Sequence, residues 1–356
     1  MFLGLNYDKE KYSIVSFLEK DFSEPFLKSA QRFIENWQLD KPFVFKSSGS
    51  TGAPKEFVFR RWQLKISAEA TIKALGLVPE SEHFLICIDT SFVGGAMMLA
   101  RAMLLNCEVT FTHPSSNVFD KIPHTHSFTF GSFVPPQLMD ASFSKEKYER
   151  FRNVLIGGSS LDLNKANQLS KMQVASYLSY GMTETLSHVA LKRLNQNNGY
   201  KILEPYTVRI NMNQQICIKV PFLEEELITQ DLGIWVEPNQ FEWIGRVDFV
   251  VNSGGIKISP EEIENAILGL GILDANCKAI ISSIPSTKWG NELVLVTNRI
   301  ISTESFKEVL IGLHKMGLKQ KSPKRFFCIN EFPSIENGKL ARNKINEWLV
   351  NQEVSH

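Results

Sequence analysis

From the N-terminus to about Glu242, short apolar runs alternate with amphipathic segments. A buried parallel strand reads as continuously apolar, while a covering helix reads with a period near 3.6, so the alternation predicts a layered α/β domain. Residues 84–89 (FLICID) predict a buried strand, 94–105 the helix after it, and Glu108–Phe111 (EVTF) the next strand. Residues 152–156 predict another buried strand, ending in Gly157-Gly158, and 214–220 alternate polar and apolar as an antiparallel strand does. Beyond residues 244–248 the texture changes. Pro260 ahead of EEIENAIL predicts a helix with acidic residues in its first turn. Strands follow around 279–284 and 292–297, then a helix over 303–313 and a Gly/Lys-rich loop near the C-terminus. The pattern predicts a large layered α/β N-terminal domain, residues 1–247, and a small α+β C-terminal domain, residues 248–356, divided at Asp248.

Composition narrows the class. A chain of 356 residues is long for one core and suits two domains. A formal net charge of +1 offers no basic field to draw in nucleic acid or anionic lipid. The five cysteines are scattered, with no C-x-x-C, so neither a metal site nor a disulfide is expected. The N-terminus has charged residues early and no apolar signal core, and the most apolar stretch, 84–111, is interrupted by Asp89 and Arg101. A cytoplasmic protein acting on small molecules, with no membrane span, is the expectation.

The strongest local signal is Ser47-Ser48-Gly49-Ser50-Thr51-Gly52-Ala53-Pro54-Lys55, led in by a predicted strand at 42–45. Small and hydroxylated residues leave backbone N–H groups and hydroxyls open to a polyphosphate. It is not a Walker A loop, because Pro54 stands before Lys55. The run resembles the phosphate loop of the adenylate-forming superfamily: acyl-CoA synthetases, luciferases and the adenylation domains of peptide synthetases. Further matches follow in that superfamily's order. Tyr180-Gly181-Met182-Thr183-Glu184-Thr185 is similar to its Y-G-x-T-E, Gly157-Gly158-Ser159-Ser160 to its adenine-edge turn, and Thr229-Gln230-Asp231 stands where it has T-G-D. The stretch from Gly245 to Glu264, with Arg246, Asp248 and Ser253-Gly254-Gly255, resembles its domain junction in the form typical of CoA ligases. Asn337-Gly338-Lys339 resembles its C-terminal lysine loop.

The resemblance implies an adenylate-forming fold, shortened at its N-terminus, whose small domain turns on a hinge. It implies ATP, Mg²⁺ and coenzyme A as reactants. Ser48, Gly49, Ser50, Thr51, Gly52 and Lys55 would meet the phosphates, with Gly158, Ser159 and Tyr180 at the adenine. Thr183 would hold a phosphate oxygen, Glu184 the metal, Asp231 the ribose hydroxyls and Arg246 the ribose or a phosphate. Asp248 would be the hinge, Ser253, Gly254 and Gly255 would approach the pantetheine arm, and Lys339 would enter the site for adenylation. Gln230 in place of the usual glycine leaves the backbone course there open.

Residues 94–101 (GGAMMLAR) and 180–190 (YGMTETLSHVA) are also similar to short o-succinylbenzoate–CoA ligases of menaquinone biosynthesis. By that resemblance Arg101 and His188 are candidates for a second carboxylate on the acid. A helix-borne salt bridge for Arg101 and a satisfied core position for His188 stand as equal alternatives. A ligase for another acid, or an adenylation domain serving a carrier protein, remains open as well.

Overall fold

The computed structural model describes residues 4–46, 55–122, 126–196, 199–274, 277–333 and 341–354. Within it the chain forms a mixed α/β architecture. Contacts divide it into two compact units: Met1–Arg209 with Ile218–Leu227 and Trp235–Phe241, and Ile210–Cys217 with Ile228–Ile234 and Glu242–His356.

The first unit is built on a sheet of β1 (Leu5–Tyr7), β2 (Glu10–Tyr12), β3 (His83–Ile86), β4 (Glu108–Phe111), β5 (Phe128–Phe133), β6 (Phe151–Ile156), β7 (Ala175–Met182), β8 (Ser187–Arg193) and β9 (Tyr200–Ile202). Their spatial order is β9-β8-β7-β6-β5-β3-β4-β1-β2. Neighbours from β7 to β1 run parallel, whereas β8 and β9 follow antiparallel beyond β7, and β2 beyond β1. The parallel strands are apolar on both faces, as strands covered by helices must be. Leu85, Val118, Phe119, Phe128, Phe133, Tyr148, Phe151 and Val154 belong to one continuous buried cluster.

The helix Val93–Leu105 is buried along most of its length, including Arg101. It starts close under the end of β3: a Cβ at Gly95 would stand 2.4 Å from the carbonyl oxygens of Ile88 and Asp89, so only glycine allows this approach. The helix Arg61–Leu75 ends in Gly76 at φ +60°, an αL cap. A hairpin of Phe43–Lys46 and Glu56–Phe59 flanks residues 47–54, so the phosphate-loop residues Ser48, Gly49, Ser50, Thr51 and Gly52 lie outside the described residues.

In the second unit the sheet order is Ile256–Ile258, Val251–Ser253, Gly290–Thr297, Ala279–Ser286, with Arg325–Cys328 parallel to Gly290–Thr297. Period-2 alternation sorts its side chains. Ile281, Leu293 and Leu295 meet the helices Pro260–Leu270 and Thr303–Lys315, whereas Ile280, Ile284, Val294 and Val296 meet Ile345 and Leu349 of the last helix, Arg342–Val354. Lys339 lies outside the described residues. The sequence pattern predicted a strand to residue 89; the ordered strand ends at Ile86, and Asp89 instead accepts from the Ser91 backbone in the turn ahead of the helix. Among the described residues no helix is long and apolar enough to cross a membrane.

Candidate active site

The parallel strands of the first unit end on one side of the sheet, where α/β proteins receive ligands. After β6 the chain turns through Gly157 and Gly158, the latter at φ +90°, where a Cβ would lie 3.4 Å from Val134 Cγ1. A Cβ on Gly157 would lie 2.4 Å from Ser179 Oγ, whose hydroxyl donates to the Ile156 carbonyl at 3.1 Å. Gly158 and Ser159 are exposed there. Next to them runs the end of β7, in register with β6 through Ile156 and Leu178.

Tyr180, on β7, is 8% exposed and stands edge-on to Phe241 at 5.2 Å and to Tyr200 at 6.0 Å. A Cβ at Gly181 would lie 2.1 Å from the Ser187 carbonyl oxygen, so the strand can press against β8 only with glycine at that position. Thr183–Thr185 form a 3₁₀ turn, followed by Leu186 and Ser187 at φ 53° and 93°. Thr185 is fully buried: its hydroxyl accepts from the Met182 N–H at 3.0 Å and lies 2.6 Å from the Ser187 carbonyl. Thr185 therefore fixes the bend that carries the half-exposed Thr183 and Glu184, a part the sequence reading did not assign. Among the described residues no three His, Cys, Asp or Glu side chains converge. A hard ion that takes one carboxylate and completes its shell with substrate phosphate and water oxygens needs no more than Glu184 here.

Behind this turn lies a buried polar cluster drawn from separate elements. Ser67 and Thr71 come from the helix Arg61–Leu75, Arg101 from Val93–Leu105, His188 from β8 and Tyr206 from the segment after β9. Ser67 donates to the Leu186 carbonyl at 2.7 Å, and Leu186 N–H in turn donates to Thr183. His188 is 2% exposed with both ring nitrogens engaged, Nε2 to Thr71 at 2.8 Å and Nδ1 to Ser187 at 3.2 Å. Burial and the nearby Arg101 charge hold His188 well below its usual range, so the imidazole is neutral. Arg101 is 1% exposed, and its Nε and Nη2 have no hydrogen-bond partner among the described residues. Among the described residues it makes no salt bridge. Burial lowers its guanidinium to about 9, which still leaves it charged at neutral pH.

The second unit carries a separate set. Asp231 lies in the strand Leu227–Glu237 and is 8% exposed. It accepts from Trp243 Nε1 at 3.2 Å and sits 3.6 Å from Arg246 Nη1. Arg246 donates two hydrogen bonds to Asp248, at 2.9 and 2.8 Å, and that pairing raises its pKa above the ordinary value. Asp248 itself sits in the 3₁₀ turn Val247–Phe249. Gly254 and Gly255, at φ +58° and +82°, form the two-residue turn between Val251–Ser253 and Ile256–Ile258, a conformation that demands glycine-like freedom at both positions. Gly254 N–H donates to the Trp289 carbonyl at 2.8 Å. In the first unit, Lys55 is exposed just ahead of the strand Glu56–Phe59.

Residues 19–219, more than half of the chain, match the profile of the family described as AMP-binding enzyme. The chain belongs to that family. This AMP-binding enzyme is 24% identical to the 2-succinylbenzoate–CoA ligase of Listeria monocytogenes serovar 1/2a, over 92% of the chain and 73% of that protein. It is 23% identical to a 4-chlorobenzoate–CoA ligase of Arthrobacter sp, over 87% of the chain and 66% of that protein. Among solved structures it is similar to an acyl-CoA synthetase (AMP-forming)/AMP-acid ligase II-like protein from Dyadobacter fermentans. There the identity is 30% and the TM-score 0.61, covering 94% of this chain and 97% of that one. The Bacillus subtilis o-succinylbenzoate CoA synthetase bound to its acyl-adenylate shares the fold at TM-score 0.71 and 22% identity, over 85% and 68% of the two chains.

Proposed function

We propose that this AMP-binding enzyme is a cytoplasmic acid–CoA ligase and that its acid is o-succinylbenzoate. The observation that carries the reading is Arg101, a guanidinium buried behind the Thr183–Glu184 turn, whose Nε and Nη2 find no acceptor among the described residues. A buried, unpartnered cation is costly unless a ligand completes it. An acid with a second carboxylate supplies that complement, and the names of the 2-succinylbenzoate–CoA ligases among the relatives agree.

A carboxylate is a poor electrophile, so the acid is first activated. Its oxygen attacks the α-phosphorus of ATP, the bond to the bridging oxygen breaks, and pyrophosphate leaves from an acyl-adenylate. Thr183, Lys339 and the residues of the phosphate loop donate to oxygens that gain charge in that step, an electrostatic task. Mg²⁺, held by Glu184 and phosphate oxygens, would offset charge on the polyphosphate. Asp231 accepts from the ribose hydroxyls, and Tyr180, Gly158 and Ser159 line the adenine. The small domain, residues 248–356, then turns about Asp248 and brings Ser253, Gly254 and Gly255 to the pantetheine arm. The CoA thiol, giving up its proton, attacks the acyl carbon and AMP departs.

The test is pyrophosphate release over a panel of acids, with thioester formation followed with and without CoA. ATP-, Mg²⁺- and CoA-dependent turnover of o-succinylbenzoate should exceed that of acetate, fatty acids or benzoate. Preference for a monocarboxylic acid overturns the substrate, and adenylation without transfer to CoA overturns the ligase. Lys339→Ala should slow acyl-adenylate formation by roughly 10²–10³-fold, the usual cost of one charge-stabilising donor. Thioester formation from supplied acyl-adenylate should stay near wild type.

A further inference from the structure

The cluster around Arg101 holds a second side chain with an unmet requirement. Tyr206 is 3% exposed, and among the described residues its hydroxyl makes no well-formed hydrogen bond, its polar neighbour Ser67 offering only a weak contact. The segment that carries it is pinned to the sheet: Leu203 N–H donates to the Val189 carbonyl at 2.9 Å, and Tyr206 N–H to Leu203 at 2.9 Å. The phenol lies within electrostatic reach of Arg101 and beside Ser67. Burial raises its pKa, against the opposing influence of Ser67 and Arg101, so it stays protonated and is a donor.

The hydrogen-bonding inventory is one-sided. Ser67 is committed to Leu186, and Thr71 and Ser187 to His188. What remains open among the described residues is Arg101 Nε–H, Arg101 Nη2–H and the Tyr206 hydroxyl. These are donors around a single positive charge, with no counter-anion among the described residues. A water could accept from them but would then strand its own protons. A carboxylate offers two oxygens with several lone pairs, brings the missing charge and donates nothing.

We propose that Tyr206 is a specificity-determining residue, whose hydroxyl joins Arg101 in taking the carboxylate of the acid that does not react. The inference rests on the reading of the chain as a ligase for a dicarboxylic acid. Ser67 ties the cluster, through Leu186, to the turn that carries Thr183 and Glu184.

Tyr206→Phe removes one oxygen and keeps the ring. The variant is expected to raise KM for o-succinylbenzoate by roughly 10- to 100-fold, the range for one hydrogen bond to a charged group. Its kcat should stay within about twofold, and turnover of benzoate should be unchanged. Binding is read separately, as the thermal shift that phthalate or succinate gives at a concentration where benzoate gives none. Wild type should show the shift and Tyr206→Phe should lose most of it. An equal KM rise for mono- and dicarboxylic acids, or an unchanged KM for o-succinylbenzoate, overturns the inference and leaves the ligase reading standing. A dicarboxylate shift that Tyr206→Phe abolishes, in a protein that forms no thioester from any diacid, upholds the subsite while the proposed reaction falls. Should Tyr206→Phe not fold, Arg101→Lys carries the same comparison. It keeps the charge and loses the fork, and a KM loss confined to diacids supports the subsite, whereas a loss shared by all acids overturns it.

Discussion

Arg101 in the first unit and Arg342 in the second are both withdrawn from water, and they are housed in opposite ways. Arg342 donates to both oxygens of Glu264, at 2.9 and 2.5 Å, and to the Ile281 carbonyl at 3.3 Å, with Glu261 at 3.8 Å and its guanidinium 5.3 Å from the centre of the Phe249 ring. Burial works against its charge, but Glu264 and Glu261 outweigh it and its pKa is raised. Arg101 meets no carboxylate among the described residues, and burial lowers its pKa. One arginine is completed by the fold and serves the fold. The other keeps two N–H groups without an acceptor among the described residues, at a cost in stability that a bound carboxylate would offset under the proposed function. Natural proteins carry such costs where function needs them.

If the comparison is sound, removing Arg342 should do the most damage. Arg342→Ala leaves Glu264 and Glu261 buried without a cation, and breaking a buried pair by deleting one partner costs about 3–5 kcal/mol. The loss should appear locally as faster hydrogen exchange in Pro260–Leu270 and Ala279–Ser286, because Glu264 also accepts from the Ile281 N–H at 2.7 Å. Exchange rates in those two elements close to wild type would mean the pair contributes little.

Arg101→Met should move stability the other way. Methionine fills a similar volume with an apolar, adaptable chain and removes two unsatisfied donors, each a penalty of about 1–3 kcal/mol when buried. The helix Val93–Leu105 should exchange more slowly and the melting temperature should rise, while kcat/KM for a diacid collapses and that for a monoacid changes little. A variant less stable than wild type would mean that Arg101 has a structural partner and the contrast with Arg342 is false.

The sequence showed one side of this contrast more plainly than the other. Strands such as Glu108–Phe111 were legible to the residue, because a buried parallel strand is a short apolar run bounded by polar turns. The last helix, Arg342–Val354, was not, since few of its described positions are buried: Ile345 and Leu349, with the partly buried Trp348, pack against the sheet cluster. Arg101 stood out as a charge in an apolar run. Tyr206 gave no signal: it follows Glu204-Pro205 in a stretch without a motif, and only the fold brings it to a residue on the helix Val93–Leu105. The role of Thr185 was hidden for the same reason, because closing the turn under Thr183 and Glu184 depends on backbone that curls back through Ser187. The motif order pointed to the AMP-binding family, but an order of motifs says nothing about which buried donors remain unmet.

The smallest effect sharpens the comparison from within the paired site. Glu261 is buried, its carboxylate accepts from Ser259 Oγ at 3.0 Å, and Arg342 is no nearer than 3.8 Å. Burial therefore prevails over Arg342 and raises the Glu261 pKa above the ordinary 4.5. A carboxyl whose folded pKa is raised binds its proton more tightly in the native state. Its stabilising contribution is complete below pH 4.5 and is lost as pH rises through the folded value, so at neutral pH the buried charge is a net cost. Glu261→Gln keeps the shape and cannot ionise. It should stabilise the protein at pH 7 by about 1 kcal/mol or less, and the advantage should vanish on acidification below the Glu261 titration, where wild type carries a neutral side chain too. Denaturant unfolding of both proteins at a series of pH values reads this directly. A glutamine variant that is weaker at pH 7 would show that Arg342 needs both carboxylates, whereas a gain that fades with acid identifies Glu264 as the partner that completes Arg342.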